Sequence, residues 1–159
     1  NVVFAPYNSA NIGMFDPIGQ KFTNIGPIAG PTGTLFSGGV LAPNGNVIFV
    51  PSSATNVGVF NPTTSIFNNI ASVSGFSGGA LTPSGNIIFA GLTNSNAGLF
   101  DSNALTYANV PAQAGYAGAT LVPDGRVIFT PRTSTNVGVV GTLAPASAEF
   151  CLSPYFNKF

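Results

Sequence analysis

The chain has 159 residues and a mass of 16.1 kDa, with four Lys and Arg balanced by four Asp and Glu for a formal net charge of +0. Only 5% of the residues are charged, against roughly 25% in an average soluble domain, which leaves too few cations for a phosphate-binding patch and argues against nucleic acid as a partner. A hydrophobic content of 45% and a mean hydropathy of +0.39 exclude disorder by composition, while apolar runs cut by Gly, Pro and Asn fall far short of the roughly 20 residues of a spanning helix.

The first apolar runs lie in NVVFAPYNSANIGMFDP, at residues 1–17. The Gly- and Pro-rich stretch GPIAGPTGT follows at residues 26–34. From Phe36 the chain reads FSGGVLAPNGNVIFVPSSATNVGVFNP. From Phe76 it reads FSGGALTPSGNIIFAGLTNSNAGLFDS, and from Tyr116 YAGATLVPDGRVIFTPRTSTNVGVVGT. Gly45, Gly85 and Gly125 align at a spacing of 40 residues, and Asn1 aligns with Asn46 at 45. The chain therefore divides into copies at 1–34, 35–74, 75–114 and 115–152, with a tail at 153–159. The first copy is incomplete and carries the insertion.

Each full copy holds four short runs rich in Val, Ile and Phe, as strands prefer. In the second copy they are Gly39–Leu41, Val47–Val50, Val57–Phe60 and Ile66–Ile70. No segment has helical periodicity, and 20 Gly with 13 Pro would break most helices. Four strands per unit of about 40 residues is the plan of a propeller blade. The turns APNGN, TPSGN and VPDGR place Pro first and Gly last, which suits a tight hairpin between the first and second strands. The runs VIF, IIF and VIF are apolar on both faces, as strands buried between two stacked sheets must be. The small SGG, SGG and AGA positions suit a crowded innermost strand. The fold class is all-β, a propeller of four four-stranded repeats, either four-bladed or part of a larger ring. Transmembrane barrel strands would be longer and flanked by aromatic girdles.

The pattern L-x-P-[NSD]-G-[NR]-[VI]-I-F, seen at Leu41, Leu81 and (with Val at the second position) Leu121, resembles kelch-type and related propeller repeats. The string VIFVPSSATNVGVFNP and the terminal SPYFNKF are similar to repeats in uncharacterised phage and large-virus proteins and in some bacterial surface proteins. The resemblance implies a propeller working outside the cell or in a virion. The chain lacks the Gly-Gly doublet followed by spaced Tyr and Trp of true kelch blades, and has no Trp.

Residue 1 enters at the second strand of a blade, so the first copy lacks an innermost strand. Three arrangements follow. A complete four-copy ring could borrow its missing strand from the tail after Cys151. The chain could be a piece of a longer protein, which would also explain the absent initiator Met. An open stack could pair with other chains through exposed sheet edges.

The chemistry-bearing residues are few. There is no His, which removes the commonest general base and metal ligand. Cys151 has no partner for an intrachain disulfide and reads as a buried, inert thiol. Asp16, Asn61 and Asp101 align at a turn after the third strand, and Asp124 lies in the PDG turn; all four read as turn residues. Glu149 stands alone in sequence, and no loop holds two acids for calcium. No P-loop Lys accompanies the glycines. The expectation is therefore of no catalytic residues, no cofactor, no metal and no enzymatic activity.

The polar strings PYNSANIG, PSSATNVG, GLTNSNAG and PRTSTNVG fall between the second and third strands and should gather on one rim. The candidate binding residues there are Tyr7, Asn8, Asn11, Ser52, Ser53, Asn56, Thr93, Asn94, Asn96, Arg132, Thr133 and Asn136. Asn11, Asn56, Asn96 and Asn136 align and also read as turn caps. The expected function is a structural or interaction module of a virion or extracellular assembly, with other protein subunits, itself among them, as partners. The alternative is a glycan- or receptor-binding module using the rim. A charge-poor surface sticks readily, which suits life inside an assembly; an ordinary secreted domain solubilised by Asn, Ser and Thr fits the composition equally.

Overall fold

The computed structural model describes residues 1–28 and 35–141. It holds fourteen strands in four antiparallel sheets, with no helix among the described residues. The first sheet is β1 (Val2–Phe4), β2 (Ile12–Asp16) and β3 (Lys21–Ile25). The second is β4 (Phe36–Leu41), β5 (Val47–Pro51), β6 (Asn56–Asn61) and β7 (Ile66–Ser72). The third is β8 (Phe76–Leu81), β9 (Asn86–Gly91), β10 (Asn96–Asp101) and β11 (Thr106–Pro111). The fourth is β12 (Tyr116–Leu121), β13 (Val127–Pro131) and β14 (Gly138–Val140). Each is a meander in which neighbours in sequence pair, the architecture of a propeller blade. Among the described residues the first sheet has three strands, β1 aligning with the second strand of the other sheets, as its sequence register implies. Cys151, Glu149 and the SPYFNKF tail lie outside the described residues, as does most of the GPIAGPTGT insertion.

The turns form as their residues dictate. The N–H groups of Gly45, Gly85 and Gly125 donate to the carbonyls of Ala42, Thr82 and Val122 at 3.0, 3.0 and 2.9 Å. Their φ values of +83°, +85° and +86° are ones a side chain would strain to reach. At the other hairpin, Asp16 Oδ1 accepts from the Ile18 N–H, Asn61 Oδ1 from Thr63 and Thr64, and Asp101 Oδ1 from Asn103 and Ala104. These are the Asx turns the sequence suggests.

The double-sided burial expected of the second strand is observed in the two inner sheets, with every residue of β5 buried and all but Asn86 of β9; in the fourth sheet Val127 and Phe129 are buried but Ile128 is half-buried, and in the first sheet Val2 and Phe4 are exposed. Three apolar clusters hold the sheets together. Val3, Ala5, Ile12 and Ile25 of the first sheet meet Phe36, Val47, Phe49, Phe60 and Phe67 of the second. Val40, Ile48, Val50, Val57 and Val59 of the second meet Phe76, Ile87, Phe89 and Phe100 of the third. Ala80, Ile88, Ala90, Ala97 and Leu99 of the third meet Tyr116, Val127 and Phe129 of the fourth. Each seam thus sets small and branched aliphatics on one side against aromatics on the other. A fully buried Phe or Val contributes about 1.5–3 kcal/mol, so the seams are the main source of stability.

Within a blade the aromatics stack over a glycine of the third strand. A Cβ on Gly58 would lie 2.8 Å from Phe67, 3.0 Å from Phe36 and 3.1 Å from Phe49. Gly98 is seated in the same way under Phe89, Tyr107 and Phe76. Between blades, the Ser37 hydroxyl donates to the Phe76 carbonyl at 3.3 Å, and Ser77 to the Ala117 carbonyl at 3.1 Å. The innermost strands are thereby tied edge to edge.

Candidate functional site

Strand direction sends the chain to two rims. The loops between second and third strands lie on one, with the connectors that lead to the next blade. The hairpin turns at residues 17–20, 42–46, 62–65, 82–86, 102–105 and 122–126 lie on the other. Among the described residues, Asp16, Lys21, Asp101, Asp124 and Arg126 all sit at the turn rim. Among the described residues, Arg132 is the one charged side chain on the loop rim. Arg126 forms an ion pair with Asp124 at 2.6 Å, within a single turn. The Arg126 side-chain hydrogen bond, then its backbone N–H, holds the Asp124 carboxyl below the ordinary range. Asp101 is lowered by the N–H groups of Ala104 and Asn103. These acids act as turn anchors. Among the described residues, no three His, Cys, Asp or Glu side chains cluster in a way that could hold a metal ion.

The loop rim is built on a backbone belt. The Gly75 carbonyl accepts from Leu92, Thr93 and Asn94 at 2.9, 3.0 and 3.1 Å. The Gly115 carbonyl accepts from Arg132, Thr133 and Ser134 at 2.8, 3.0 and 3.2 Å. The Gly75 N–H donates to Ser52 O and the Gly115 N–H to Leu92 O, so each loop is tied to the next. At the first seam the Leu35 N–H donates to Tyr7 O, and Ser52 and Ala54 donate to Leu35 O.

This belt brings the candidate residues onto one rim and divides them. Asn94 is committed to structure: its amide donates to Ser74 O at 3.1 Å and its Oδ1 accepts from the Asn96 N–H at 3.0 Å. The Asn56 amide, oriented to satisfy both its atoms, donates to the Thr55 and Ala71 carbonyls and accepts from the Thr55 hydroxyl. The Asn11 N–H donates to the Ser9 hydroxyl. The Asn136 N–H donates to Ser134 Oγ, which in turn donates to Asn136 O. Thr93 and Thr133 rest their hydroxyls against Gly75 and Gly115. Ser52 and Asn96 are half-buried. Tyr7, Asn8, Ser53 and Arg132 are exposed, and their side chains make no hydrogen bond among the described residues.

A second surface escapes a reading by residue type. Val2, Phe4 and Phe22 of the first sheet are exposed, and so are Val137 and Val139 of the fourth. They lie on the outward faces of the two end blades. No apolar cluster of the described residues joins those faces. The signal that finds them is register. Val2, Phe4 and Phe22 stand 45 residues before Val47, Phe49 and Phe67, which line the first seam. Val137 and Val139 stand 40 residues after Ala97 and Leu99, which line the third seam.

No family model and no curated protein matches the chain by sequence. Solved structures do match by shape. Streptogramin B lyase superposes with a TM-score of 0.71 at 16% identity, over 87% of this chain and 47% of that one. Virginiamycin B lyase from Staphylococcus aureus gives 0.69 at 17%, over 84% and 46%. The extracellular domain of a putative one component system from B. thetaiotaomicron gives 0.63 at 10%, over 84% and 19%. The chain therefore spans less than half the length of these proteins. The likeness establishes a propeller-type, all-β fold, and it does not extend to a kelch or viral assignment.

One expectation is corrected. The absence of catalytic residue sets led to a reading of the chain as no enzyme. The lyases are enzymes on this fold, so that reading does not hold. The physical reason is that a fold and a missing residue type do not decide activity; a site on a longer ring draws on residues from blades beyond these four sheets. No helix among the described residues is long and apolar enough to cross a membrane.

Proposed function

We propose that the chain is a protein-interaction module of an assembly outside the cell, at a cell surface or in a virion, with other protein subunits as its partners. The observation that carries this reading is the composition: only 5% of the residues are charged, with a formal net charge of +0, which gives the surface little electrostatic protection from association in free solution. The extracellular domain of the B. thetaiotaomicron protein supports the location, as a structure of this fold placed outside the cell.

The test is native mass of the protein taken from its source, with the intact mass of the polypeptide. A complex heavier than the polypeptide is expected. A free monomer at native concentration would reject the reading.

A second reading rests on the loop rim. Tyr7, Asn8, Ser53 and Arg132 offer hydrogen bonds and one aromatic face with almost no charge, which suits a neutral ligand such as a glycan. Retention on a glycan array, lost in Tyr7→Ala or Arg132→Ala, would support it.

A further inference from the structure

We propose that Asn44 is a site of covalent self-modification, guarded by the contact between the second and third sheets at the turn rim. When that contact opens, the backbone nitrogen of Gly45 converts the Asn44 side-chain amide to an acid. The acid then hinders the contact from closing again.

The hairpin turns between first and second strands carry Asn44, Ser84 and Asp124 at one position, each followed by glycine. Asn44–Gly45 is the one Asn-Gly pair of the chain. Asn44 is exposed, so water and base reach it. Gly45 has no side chain to keep its nitrogen from the Asn44 amide carbon, and its backbone turns freely once the hairpin opens. The step needs no co-reactant other than water. The Gly45 nitrogen gives its proton to solvent base and attacks Asn44 Cγ. The new C–N bond closes a five-membered imide, the Cγ–Nδ2 bond breaks, and Nδ2 takes up a proton and leaves as ammonia. Water then opens the imide at one of its two carbonyls, giving Asp or an isoaspartyl linkage routed through the side chain.

In the closed structure each reacting group is held. The Gly45 N–H donates to the Ala42 carbonyl at 3.0 Å. Asn44 Nδ2, the leaving group, donates to the Ser102 carbonyl at 2.9 Å and to Asn103 Oδ1 at 3.4 Å. Asn44 Oδ1 accepts from the Asn46 N–H at 3.1 Å. Ser102 is fixed in turn, 1% exposed and with its hydroxyl donating to the Gly85 carbonyl at 3.3 Å. The Asn44 side chain must therefore leave the third sheet before its amide carbon can swing to the Gly45 nitrogen. The product cannot return to the same contact. An ionised carboxyl has no hydrogen to donate, so it would meet the Ser102 carbonyl acceptor to acceptor. The Asn103 amide can turn to donate, but a backbone carbonyl cannot. The fourth sheet shows what an acid at this position uses: Asp124 pairs with Arg126, where the second sheet has the uncharged Asn46. The isoaspartyl form adds a main-chain atom to the turn, which disturbs the Gly45-to-Ala42 bond as well.

The test is incubation of the purified 159-residue chain at mildly alkaline pH, in native buffer and in enough guanidinium to unfold it, followed by peptide mapping with isoaspartate detection. Amide loss is expected first at Asn44. It should be slower by roughly tenfold or more in native buffer, because the reaction passes through an opened form. Asn44→Gln keeps an amide but does not form the five-membered ring, and should show no conversion at that position. Asn44→Asp, with circular dichroism confirming that it is folded, should melt below the wild-type chain. Equal rates in the two buffers would overturn the guarding role of the contact. Conversion that falls first on another Asn would reject Asn44 as the site. An Asn44→Asp melt identical to wild type would show that the acid does not hinder closure, and would overturn that half of the proposal.

Discussion

A Cβ on Gly78 would lie 2.8 Å from the Cα of Gly118, so two innermost strands approach each other at a point where Gly78 has no room for a side chain, whereas a Cβ on Gly118 would meet only Thr130 at 3.7 Å. Gly78 also has a φ of +78°. Changing it to Ala adds left-handed strain of about 1–2 kcal/mol to a clash with backbone that has no rotamer to yield. Gly78→Ala is expected to destabilise the fold by roughly 2–4 kcal/mol. Gly38 occupies the equivalent place in the second sheet, yet a Cβ there would meet nothing within 4 Å. Gly38→Ala should stay within about 0.5 kcal/mol of wild type. Chemical denaturation of the pair checks both, and equal effects would mean that the close approach is not what selects glycine.

The aromatic seats give a second expectation. A Cβ on Gly98 would lie 2.9 Å from ring atoms of both Phe89 and Tyr107. These rings are held by their own packing, Phe89 on Phe100 at 6.2 Å and Phe76 on Tyr107 at 6.1 Å. Gly98→Ala should cost about 1–3 kcal/mol, with a changed near-ultraviolet dichroism as the rings shift. An unchanged aromatic signal would show that the blade repacks freely.

Much of the blade was legible because its signals are local. Pro43, Asn44 and Gly45 specify a hairpin by backbone preference alone, and the buried VIF of Val47–Phe49 specifies a double-sided strand. The seats at Gly58 and Gly98 were not legible, because the rings above them come from three other strands. The rim was legible as a place and not as a site. Asn94 reads as an exposed polar residue until its amide is seen to reach Ser74, 20 positions earlier. The reading against an enzyme failed for a different reason. It treated an inventory of four sheets as if it bounded the chemistry of a fold that other proteins extend.

Titration should be simple in the neutral range, since the chain has no His. Asp101 and Asp124 are both held below the ordinary carboxylate range. A depressed folded pKa gives stability that is present above the unfolded value, about 3.9, and is lost as pH falls through the folded one. At the alkaline end, burial pushes Tyr107 up to about 12. Its unfolded value is about 10, so the unfolded chain releases a proton first and stability should fall from about pH 10 towards 12. Melting temperature against pH is expected to be flat from about 5 to 9 and to drop on both sides. Tyr107→Phe should remove the Tyr107 contribution to the alkaline drop and leave the acid limb unchanged. An alkaline limb that is identical in the variant would assign the drop elsewhere.

The loop rim separates structural from available residues, and substitution can tell them apart. Asn94 makes two side-chain hydrogen bonds, one to the Ser74 carbonyl that ties its loop to the preceding connector and one from the Asn96 N–H within the loop. Asn94→Ala leaves the Ser74 carbonyl and the Asn96 N–H to find other partners. It should destabilise the fold by about 1–2 kcal/mol. Asn8 is exposed and makes no side-chain hydrogen bond among the described residues. Asn8→Ala should leave stability within about 0.5 kcal/mol of wild type. Tyr7→Ala and Arg132→Ala should behave like Asn8→Ala, because their side chains lie outside the belt while their backbones lie in it. Thermal melts of the four variants check this division. If Arg132→Ala proves as damaging as Asn94→Ala, the one cation of the rim is part of the scaffold, and a ligand reading would have to rest on Tyr7, Asn8 and Ser53 alone.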